Sequence, residues 1–523
     1  MPELEALLND VTGVVDVADA GCVPPAGIET RRVPRPGTPR AAWLGPGRLA
    51  LALALSAALS ACAVGPDYHR PVQDVGAAYA HAPAGQWQRA QPASTLAADW
   101  WRAFDDEGLN GLMARLPAGN LDIAQAEAQY RQARAALDGA RSGLFPTLGV
   151  SSSVSRGGQG VSGIGNPANT YSLSGSVSWE ADLWGRVRRD VESARAGAQA
   201  GAAQLAAMRL SLQSTLAQTY FGIRASQRQD ELLARTLTEY QRALDMTRHR
   251  YDAGVASSAD VAAASAQLDQ ARVQRIRLQW QREQQVHALA VLLGLPPSAF
   301  QLPTGAGLPA VPAVPVGVPS ALLQHRPDVA AAERQVAQAN AKVGSAQAAW
   351  FPDLTLSAEG GYRAGEFASW IMAPARFWTL GPALALTLFD GGARSAAVES
   401  AQAAYDEQAA AYRKTVLDAL REVEDALVQS QSLVNEQAAQ DRALAAARET
   451  LRQVSNQYQA GLVDYLSVVQ AQTSALSAEQ NDLDLQSQRL TAIVQLVVAL
   501  GGGYVQPSAD GAPLAAAAAA TRP

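Results

Sequence analysis

The stretch that decides the fold is TYSLSGSVSWEADLW, from Thr170 to Trp184. Its residues alternate without interruption between an apolar face and a polar face. The apolar face consists of Tyr171, Leu173, Gly175, Val177, Trp179, Ala181 and Leu183, and serines with Glu180 and Asp182 form the other. This pattern is typical of a transmembrane barrel strand, which turns its apolar side to lipid and its polar side to water.

Three other stretches alternate in the same way. ALALTLFD, from Ala383 to Asp390, has Leu384, Leu386 and Leu388 on one face, and residues 147–155 and 353–362 repeat the pattern. Aromatic residues are expected where strands reach the membrane interface. Such residues near the strand ends are Trp184, Trp350, Phe351, Phe377 and Trp378. We expect the two loops between these strands, 156–169 and 363–375, to face outside the cell.

Four strands cannot form a closed barrel in one chain. The backbone groups at an open sheet edge cannot remain unpaired in lipid. Known bacterial barrels begin at about eight strands, and a trimer would supply about twelve. The sequence therefore predicts an α+β membrane protein in which three chains, with four strands each, share one barrel.

The chain contains two tandem copies of one unit. NLDIAQAEAQYRQARAALDGARSGLFP (120–146) aligns with RPDVAAAERQVAQANAKVGSAQAAWFP (326–352). VESA recurs at 191 and 398, and YDAGVASSADV at 251 aligns with YQAGLVDYLSV at 458, all at an offset of about 207 residues. Each copy reads helix, strand, strand, long helix, turn, long helix, and a Pro-rich linker joins the copies.

Long helices are expected because proline is absent between Pro167 and Pro296 and between Pro382 and Pro507. A helix over residues 188–252 would extend nearly ~100 Å. Apolar spacing of 3 and 4 residues predicts coiled-coil packing. The predicted seams are Leu237, Tyr240, Leu244, Thr247 and Tyr251 on one helix, and Leu466, Val469, Thr473, Leu476, Leu483, Leu490, Val494 and Val497 on the last.

A lipoprotein signal precedes the first copy. The apolar run 49–61 is about 13 residues, too short to span a membrane but typical of a signal-peptide core. It ends in Leu59-Ser60-Ala61-Cys62, which matches the bacterial lipobox, so we expect Cys62 to be acylated, with palmitate among its acyl chains. Ala63, where an aspartate would retain the protein in the inner membrane, favours the outer membrane. We expect that translation starts downstream of Met1 or that residues 1–61 are removed together.

Composition argues against several other functions. The net charge of -6 does not favour nucleic-acid binding, and Cys22 and Cys62 are the only cysteines. A formal GxGxxG at 158–163 lies between two strands rather than between a strand and a helix, which the dinucleotide motif requires. We expect no enzyme activity, no cofactor and no metal site, because the five histidines are scattered: His69, His81, His249, His287 and His325.

Several motifs together resemble the TolC/OprM-type outer-membrane efflux lipoproteins of the NodT-like subgroup, over about residues 62–505. They are CAVGPDYHRP (62–71), DWWRAFDDEGLNGL (99–112), HRPDVAAAE (325–333), the paired Phe-Pro starts and the Tyr-x-x-Gly turns at Tyr251 and Tyr458. The resemblance implies a homotrimer with a twelve-stranded barrel in outer-membrane lipid, a twelve-helix periplasmic tunnel and an equatorial domain. It also implies a periplasmic adaptor (a membrane fusion protein) and an inner-membrane RND pump as partners.

The resemblance also assigns roles to two turns and to the start of the last helix. The turns lie at the periplasmic tip, where the adaptor would bind. The candidate contacts are Gly254, Val255, Asp260, Gly461, Leu462 and Asp464. The last helix would bend inward to close the tunnel, with Leu466, Ser467, Gln470 and Thr473 as the candidate gate. Relatives often carry an aspartate where Ser467 or Gln470 stands, so an acidic ring is not expected here.

These observations divide the chain into six segments. They are a leader and signal peptide (1–61), a lipid-anchored and equatorial segment (62–119), repeat 1 (120–295), a Pro-rich linker (296–319), repeat 2 (320–505) and a disordered tail (506–523). Repeat 1 is expected to contain strands 146–156 and 170–184 and long helices 188–252 and 259–295. Repeat 2 is expected to contain strands 352–363 and 376–390 and long helices 393–458 and 464–500.

Three functions remain open at this point. The first is a passive export duct for drugs or other small molecules. The second is the outer-membrane duct of a type I protein-secretion or metal-efflux system. The third belongs to a different class, a structural periplasmic coiled-coil lipoprotein without transport, and it would require the four strands to be soluble.

Overall fold

The computed structural model describes residues 63–73, 75–76, 79–81, 98–158, 167–303, 307–312 and 325–505. The predicted leader, Cys62 and the tail lie outside these residues. Within the described part, the chain forms seven α-helices and one four-stranded sheet. The helices are α1 (Glu107–Gly119), α2 (Leu121–Ser142), α3 (Arg186–Asp252), α4 (Ser258–Leu292), α5 (Pro327–Ala348), α6 (Ala393–Gln459) and α7 (Tyr465–Ala499). The strands are β1 (Thr147–Gly157), β2 (Ala168–Ala181), β3 (Asp353–Ala364) and β4 (Arg376–Ala385).

The helix lengths repeat between the two halves. Helices α2 and α5 each have 22 residues, α3 and α6 each have 67, and α4 and α7 each have 35. At ~1.5 Å per residue, α3 and α6 extend about 100 Å. The duplication read from sequence anchors is therefore also a duplication of secondary structure.

Both long helices begin at a glycine in the left-handed conformation that follows an aspartate. Gly185 has φ +84° before α3, and Gly392 has φ +94° before α6. The Asp182 carboxylate accepts hydrogen bonds from the backbone N–H groups of Val187 and Arg188. Asp390 does the same for Gly392 and Arg394. These carboxylates satisfy N–H groups that a helix start leaves without partners, and only residues 182–185 and 386–392 separate the strands from the helices.

The two repeats join in one antiparallel sheet of order β1-β2-β3-β4. Each repeat forms a hairpin, and the hairpins meet at the β2–β3 pair, where Val177 lies opposite Ala358. Strands β1 and β4 lie at the two edges. Strand β4 is shorter than expected, because its last partner is Asp353, the first residue of β3, and pairing ends there at Ala385. Leu386 and Leu388 therefore lie beyond the strand, and their side chains are exposed.

The sheet has one apolar face and one polar face. Serine pairs cross the polar face, with Oγ–Oγ distances of 3.1 Å for Ser151 and Ser174 and 2.7 Å for Ser153 and Ser172. The opposite face exposes large apolar side chains: Leu148, Val150, Val154, Trp378, Leu380 and Leu384. An exposed apolar face of this extent indicates a surface that contacts a membrane or another protein. None of the helices among the described residues is both long enough and apolar enough to cross a bilayer.

The main core lies where α1 crosses the long helices. Leu109, Leu112 and Leu116 of α1 pack in one cluster with Phe221 of α3 and Tyr412 of α6. Aromatic contacts strengthen this cluster, and the Phe104 and Phe221 ring centroids are 4.9 Å apart.

The predicted coiled-coil seams are correct in part. On α3, Tyr240, Leu244 and Thr247 are buried, whereas Tyr251 is exposed. On α7, Leu490, Val494 and Val497 are buried as expected. The seam at the start of α7 was predicted one residue too late. The buried side chains there are Tyr465, Val468 and Ala475, because the Tyr465 ring packs into a cluster formed by α3 and α4.

Candidate functional site

The segment that follows Cys62 is held at the helical end of the sheet. The Val64 N–H donates to the Trp184 carbonyl at 3.0 Å. Arg189, which is buried, donates to the carbonyls of Val64 (3.2 Å) and Gly65 (3.1 Å) and to the Asp67 carboxylate (3.0 Å). Gly65 has φ +100°, and a Cβ atom there would clash with the backbone of Gly344. The segment is thus fixed by four hydrogen bonds and a close backbone approach.

Aromatic side chains surround the place where this segment starts. The Trp184 ring stacks on Phe351 with centroids 4.8 Å apart, and its Nε1 donates to the Pro352 carbonyl at 2.8 Å. Ala63 lies beside Gly185, at the junction of β2 and α3. Tryptophan and other aromatic residues at this level are typical of a membrane interface. Residue 62 itself lies outside the described residues, and its neighbour Ala63 lies at the level of these aromatic side chains.

Aromatic residues also form a group at the other end of the sheet. Tyr171, Phe367 and Trp370 form a triad with centroid distances of 5.7, 5.9 and 5.9 Å, on the apolar face. The prediction missed this triad because Phe367 and Trp370 belong to a loop. Trp378 lies on the apolar face as expected. Phe377 was wrongly grouped with it, because neighbouring strand residues point to opposite faces and Phe377 lies on the polar one.

The turns at the ends of the long hairpins have the same geometry. Gly254 has φ +75° and Gly461 has φ +77°. After α3, the Val255 N–H donates to the Arg250 carbonyl at 2.8 Å; after α6, the Leu462 N–H donates to the Gln457 carbonyl at 2.9 Å. Glycine accepts this left-handed conformation at a helix end without steric cost. Val255 and Leu462 are 68% and 75% exposed, so both turns expose an apolar side chain.

The two acidic residues of the turns start the next helices. Asp260 and Ser257 form a capping box at the start of α4, with reciprocal bonds of 2.9 and 3.1 Å. The Asp464 carboxylate accepts from the Ser467 N–H (3.0 Å) and the Ser467 hydroxyl (2.6 Å) at the start of α7. These hydrogen bonds from Ser467 lower the pKa of Asp464 below its ordinary value.

The two hairpins contact each other next to the turns. The Arg250 guanidinium carbon lies 4.5 Å from the centre of the Tyr458 ring, and this ring lies 5.5 Å from that of Tyr465. Tyr465 is buried against Tyr240 and Leu244, and burial raises its pKa to about 12. The sequence predicted Tyr458 only as part of a Tyr-x-x-Gly turn, and this cluster was not predicted. The signal that could have found it is the tyrosine at the same position of both turn motifs.

Three of the four candidate gate residues lie on one exposed side of α7. Leu466, Gln470 and Thr473 are exposed and follow each other at spacings of 4 and 3 residues, away from the buried Tyr465 and Val468. Ser467, the fourth, is half-buried, and its hydroxyl donates to the Asp464 carboxylate. In the residues that the structure describes, no three His, Cys, Asp or Glu side chains are grouped as a metal site.

Comparison with known proteins gives one family. The family model described as "Outer membrane efflux protein" matches twice, over residues 112–295 and 318–502. The two matched ranges coincide with the two repeats and cover most of the chain.

Individual relatives agree with this family. The toluene efflux pump outer membrane protein TtgC of Pseudomonas putida is 30% identical over 468 residues, which is 87% of this chain and 96% of that protein. Nodulation protein T of Rhizobium leguminosarum is 30% identical over 474 residues, 88% of this chain and 94% of that protein. The solved structure of the outer-membrane channel OprN has a TM-score of 0.79 and 32% identity, and it covers 85% of this chain and 100% of that chain.

These matches confirm the family resemblance and the predicted α+β channel fold, with four strands and two pairs of long helices in each chain. The family and these relatives are channel proteins rather than enzymes.

Proposed function

Since the chain belongs to the outer membrane efflux protein family and exports material across the outer membrane, we propose that it is the passive duct of a tripartite efflux system. It works as a homotrimer with a periplasmic adaptor and an inner-membrane RND pump. The observation that carries this proposal is the four-stranded sheet with an exposed apolar face, continuous with helices of 67 residues.

The two free sheet edges support the trimer. In the described residues, β1 pairs only with β2 and β4 pairs only with β3. Unpaired backbone groups in lipid cost several kcal/mol each. Pairing β4 of one copy with β1 of the next satisfies both edges and closes a barrel of about twelve strands, which lies in the observed size range.

The exposed side of α7 supports a gate at the periplasmic end of the tunnel. Leu466, Gln470 and Thr473 would face the threefold axis, with three copies of Leu466 as the narrowest apolar ring. Opening would shift α7 relative to α3 and α6, a rearrangement between two packed states. Val255 and Leu462, at the ends of the two hairpins, would contact the adaptor.

The position of Ala63 supports acylation of Cys62. Hydrogen bonds to Arg189 and Trp184 hold the following residues at the level of the aromatic residues near the sheet. An acyl chain on residue 62 would therefore reach the inner leaflet of the outer membrane. A single acyl chain binds a membrane weakly, and several together bind it firmly.

The proposed cargo is small organic molecules, including drugs. A relative is named for toluene efflux, which favours this class over proteins or metal ions. A passive duct takes its selectivity for complex cargo largely from the pump that loads it, so the same channel would serve several compounds.

The test combines purification and complementation. The full chain, extracted from outer membranes in detergent, should run as a trimer in native mass spectrometry and should precipitate without detergent. In a strain that lacks its own outer-membrane efflux channels, expression with a matching adaptor and pump should restore drug resistance. A monomer that stays dissolved without detergent would instead support the structural coiled-coil lipoprotein.

A further inference from the structure

The polar face of the sheet carries few charges, and those at its helical end lie beside one arginine. At the helical end, the Arg186 guanidinium binds Glu180 at 2.7 Å and lies 3.9 Å from Asp353. Two charged side chains of β3 lie farther from the helices and have no such partner of opposite charge among the described residues. Glu359 and Arg363 face the same side, opposite Ser176 and Ser172, and neither makes an ion pair with any described residue.

The Arg363 side chain has a fixed place on this face. Its guanidinium carbon lies 4.6 Å from the centre of the Phe377 ring. Phe377 pairs with Gly361, which has no side chain, so the arginine can extend across it. A cation over an aromatic face is held by the ring's charge distribution and keeps its full charge. Phe377, which the sequence placed at the membrane interface, therefore supports a charge on the polar face.

Neighbouring strands would not neutralise these charges. The edge strands that meet between copies, β1 and β4, have no charged residue on their polar faces. The loop from Gly157 to Asn169 contains no charged residue in its sequence. The loop after β3 contains one acid, Glu366, which is exposed and has no ion pair among the described residues.

We propose that Glu359 and Arg363 are the residues that set the ion selectivity of the barrel. This inference rests on the proposed trimeric channel. Three copies then give two charged rings, with the acidic ring nearer the helices and the arginine ring nearer the outer mouth. Four residues of strand separate them by about 13 Å. This exceeds the Debye length of about 10 Å at 0.1 M salt, so each ring acts on passing ions separately.

The arginine ring is the outermost charged ring on the polar face of the sheet, so cargo meets it after the acidic ring. It favours solutes with an exposed carboxylate or other anionic group, while the acidic ring below it slows them and favours cations. Each ring can be removed by a single substitution. Because the rings have opposite signs, the two removals must change the ion selectivity in opposite directions.

The test is the reversal potential of single channels in planar bilayers under a KCl gradient. Arg363→Gln should raise the permeability ratio of potassium to chloride about twofold, and Glu359→Gln should lower it by a similar factor. Arg363→Lys should keep the ratio of the original protein. The matched control is Arg376→Gln, because Arg376 lies at the same end of the sheet but on its apolar face, with Nε donating to the Ala373 carbonyl at 3.3 Å.

Each outcome separates the inference from the proposed function. Channels that form normally but show the same ratio in all variants, or that shift in the same direction in both charge variants, would overturn the selectivity role. A shift in Arg376→Gln equal to that in Arg363→Gln would also overturn it, because the effect would then be general surface charge. A purified original protein that forms no channels would instead contradict the proposed function.

Discussion

Individual glycines set the turns at which the long hairpins reverse. Gly254 and Gly461 adopt positive φ, and a Cβ atom at either position would meet nothing within 4 Å. A substitution there would therefore act only through the backbone. These two positions isolate the cost of the left-handed conformation from that of packing.

For Gly461→Ala, we expect a local destabilisation of about 1 kcal/mol. Hydrogen exchange of the Leu462 amide, which donates to Gln457, should accelerate about fivefold. The matched control is Gly111→Ala, in the interior of α1 with open space around it, where alanine should stabilise the helix by about 0.5–1 kcal/mol. Equal exchange in Gly461→Ala and the original protein would show that the turn tolerates a side chain.

Asp464 should make the start of α7 sensitive to acid. Its pKa is lowered by the hydrogen bonds from Ser467. The Asp464 carboxylate therefore stabilises the start of α7 fully above pH 3.8, the ordinary pKa of an aspartate. This stabilisation is lost as the pH falls further, through the lowered pKa of Asp464. In this pH range we expect the Ser467 amide to lose protection from hydrogen exchange, after correction for the intrinsic exchange rate. Asp464→Asn keeps a good cap without a titrating group, so its protection should not change with pH. The same loss in both proteins would assign the effect to another group.

At the scale of elements, sequence patterns predicted the strands and helices well because their periods are long and uninterrupted. The ends and faces were harder to predict. Strand β4 stops at Ala385 because its partner begins at Asp353, which is information held by a different part of the chain. The seam of α7 is displaced by one residue because Tyr465 packs against Tyr240 and Leu244, and periodicity alone does not specify which neighbour a helix meets. The role of Phe377 likewise depends on Arg363, a residue of the adjacent strand.

The exposed side of α7 gives a prediction about the gate. Replacing Leu466 and Gln470 together by alanine removes side chains that would narrow the tunnel and should raise the single-channel conductance. Met246→Ala is the control, because Met246 is an exposed apolar residue of α3 near the same tip. Its conductance should equal that of the original protein. An unchanged conductance in the double variant would remove Leu466 and Gln470 from the gate.

At the scale of the whole molecule, the two repeats have helices of equal length but unequal surroundings. Helix α3 packs against α2, α4, α5 and α7 of its own chain, and many of its side chains are buried. Helix α6 packs mainly against α5 and α7, and far fewer of its side chains are buried. Helix α6 instead exposes Leu417, Val428 and Val434, and α4 exposes Val273, Ile276 and Trp280. Apolar helix faces and free sheet edges in the same chain both favour assembly with further copies.

Trp280 tests whether a second copy covers the α4 face. Its side chain is 59% exposed in the single chain. If another copy buries it, Trp280→Ala should weaken the trimer by about 3 kcal/mol per interface. The dissociation temperature of the purified trimer in detergent should fall accordingly, and Trp280→Phe should keep most of the stability. A trimer of unchanged stability in Trp280→Ala would place this face outside the interface.

Removal of the proposed lipid anchor tests how much assembly depends on it. Cys62→Ala would prevent the proposed acylation but leaves residues 64–67 bound to Arg189 and Trp184, and the barrel would still span the bilayer. We therefore expect a lower yield of outer-membrane trimer, measured on membrane fractions, while each trimer that forms conducts normally. Cys22→Ala is the matched control, because it removes the other cysteine without touching the lipobox, and its yield should be unchanged. Equal trimer yield and equal drug efflux in Cys62→Ala would show that the hydrogen bonds of residues 64–67 and the barrel suffice, and that the acyl chains are dispensable.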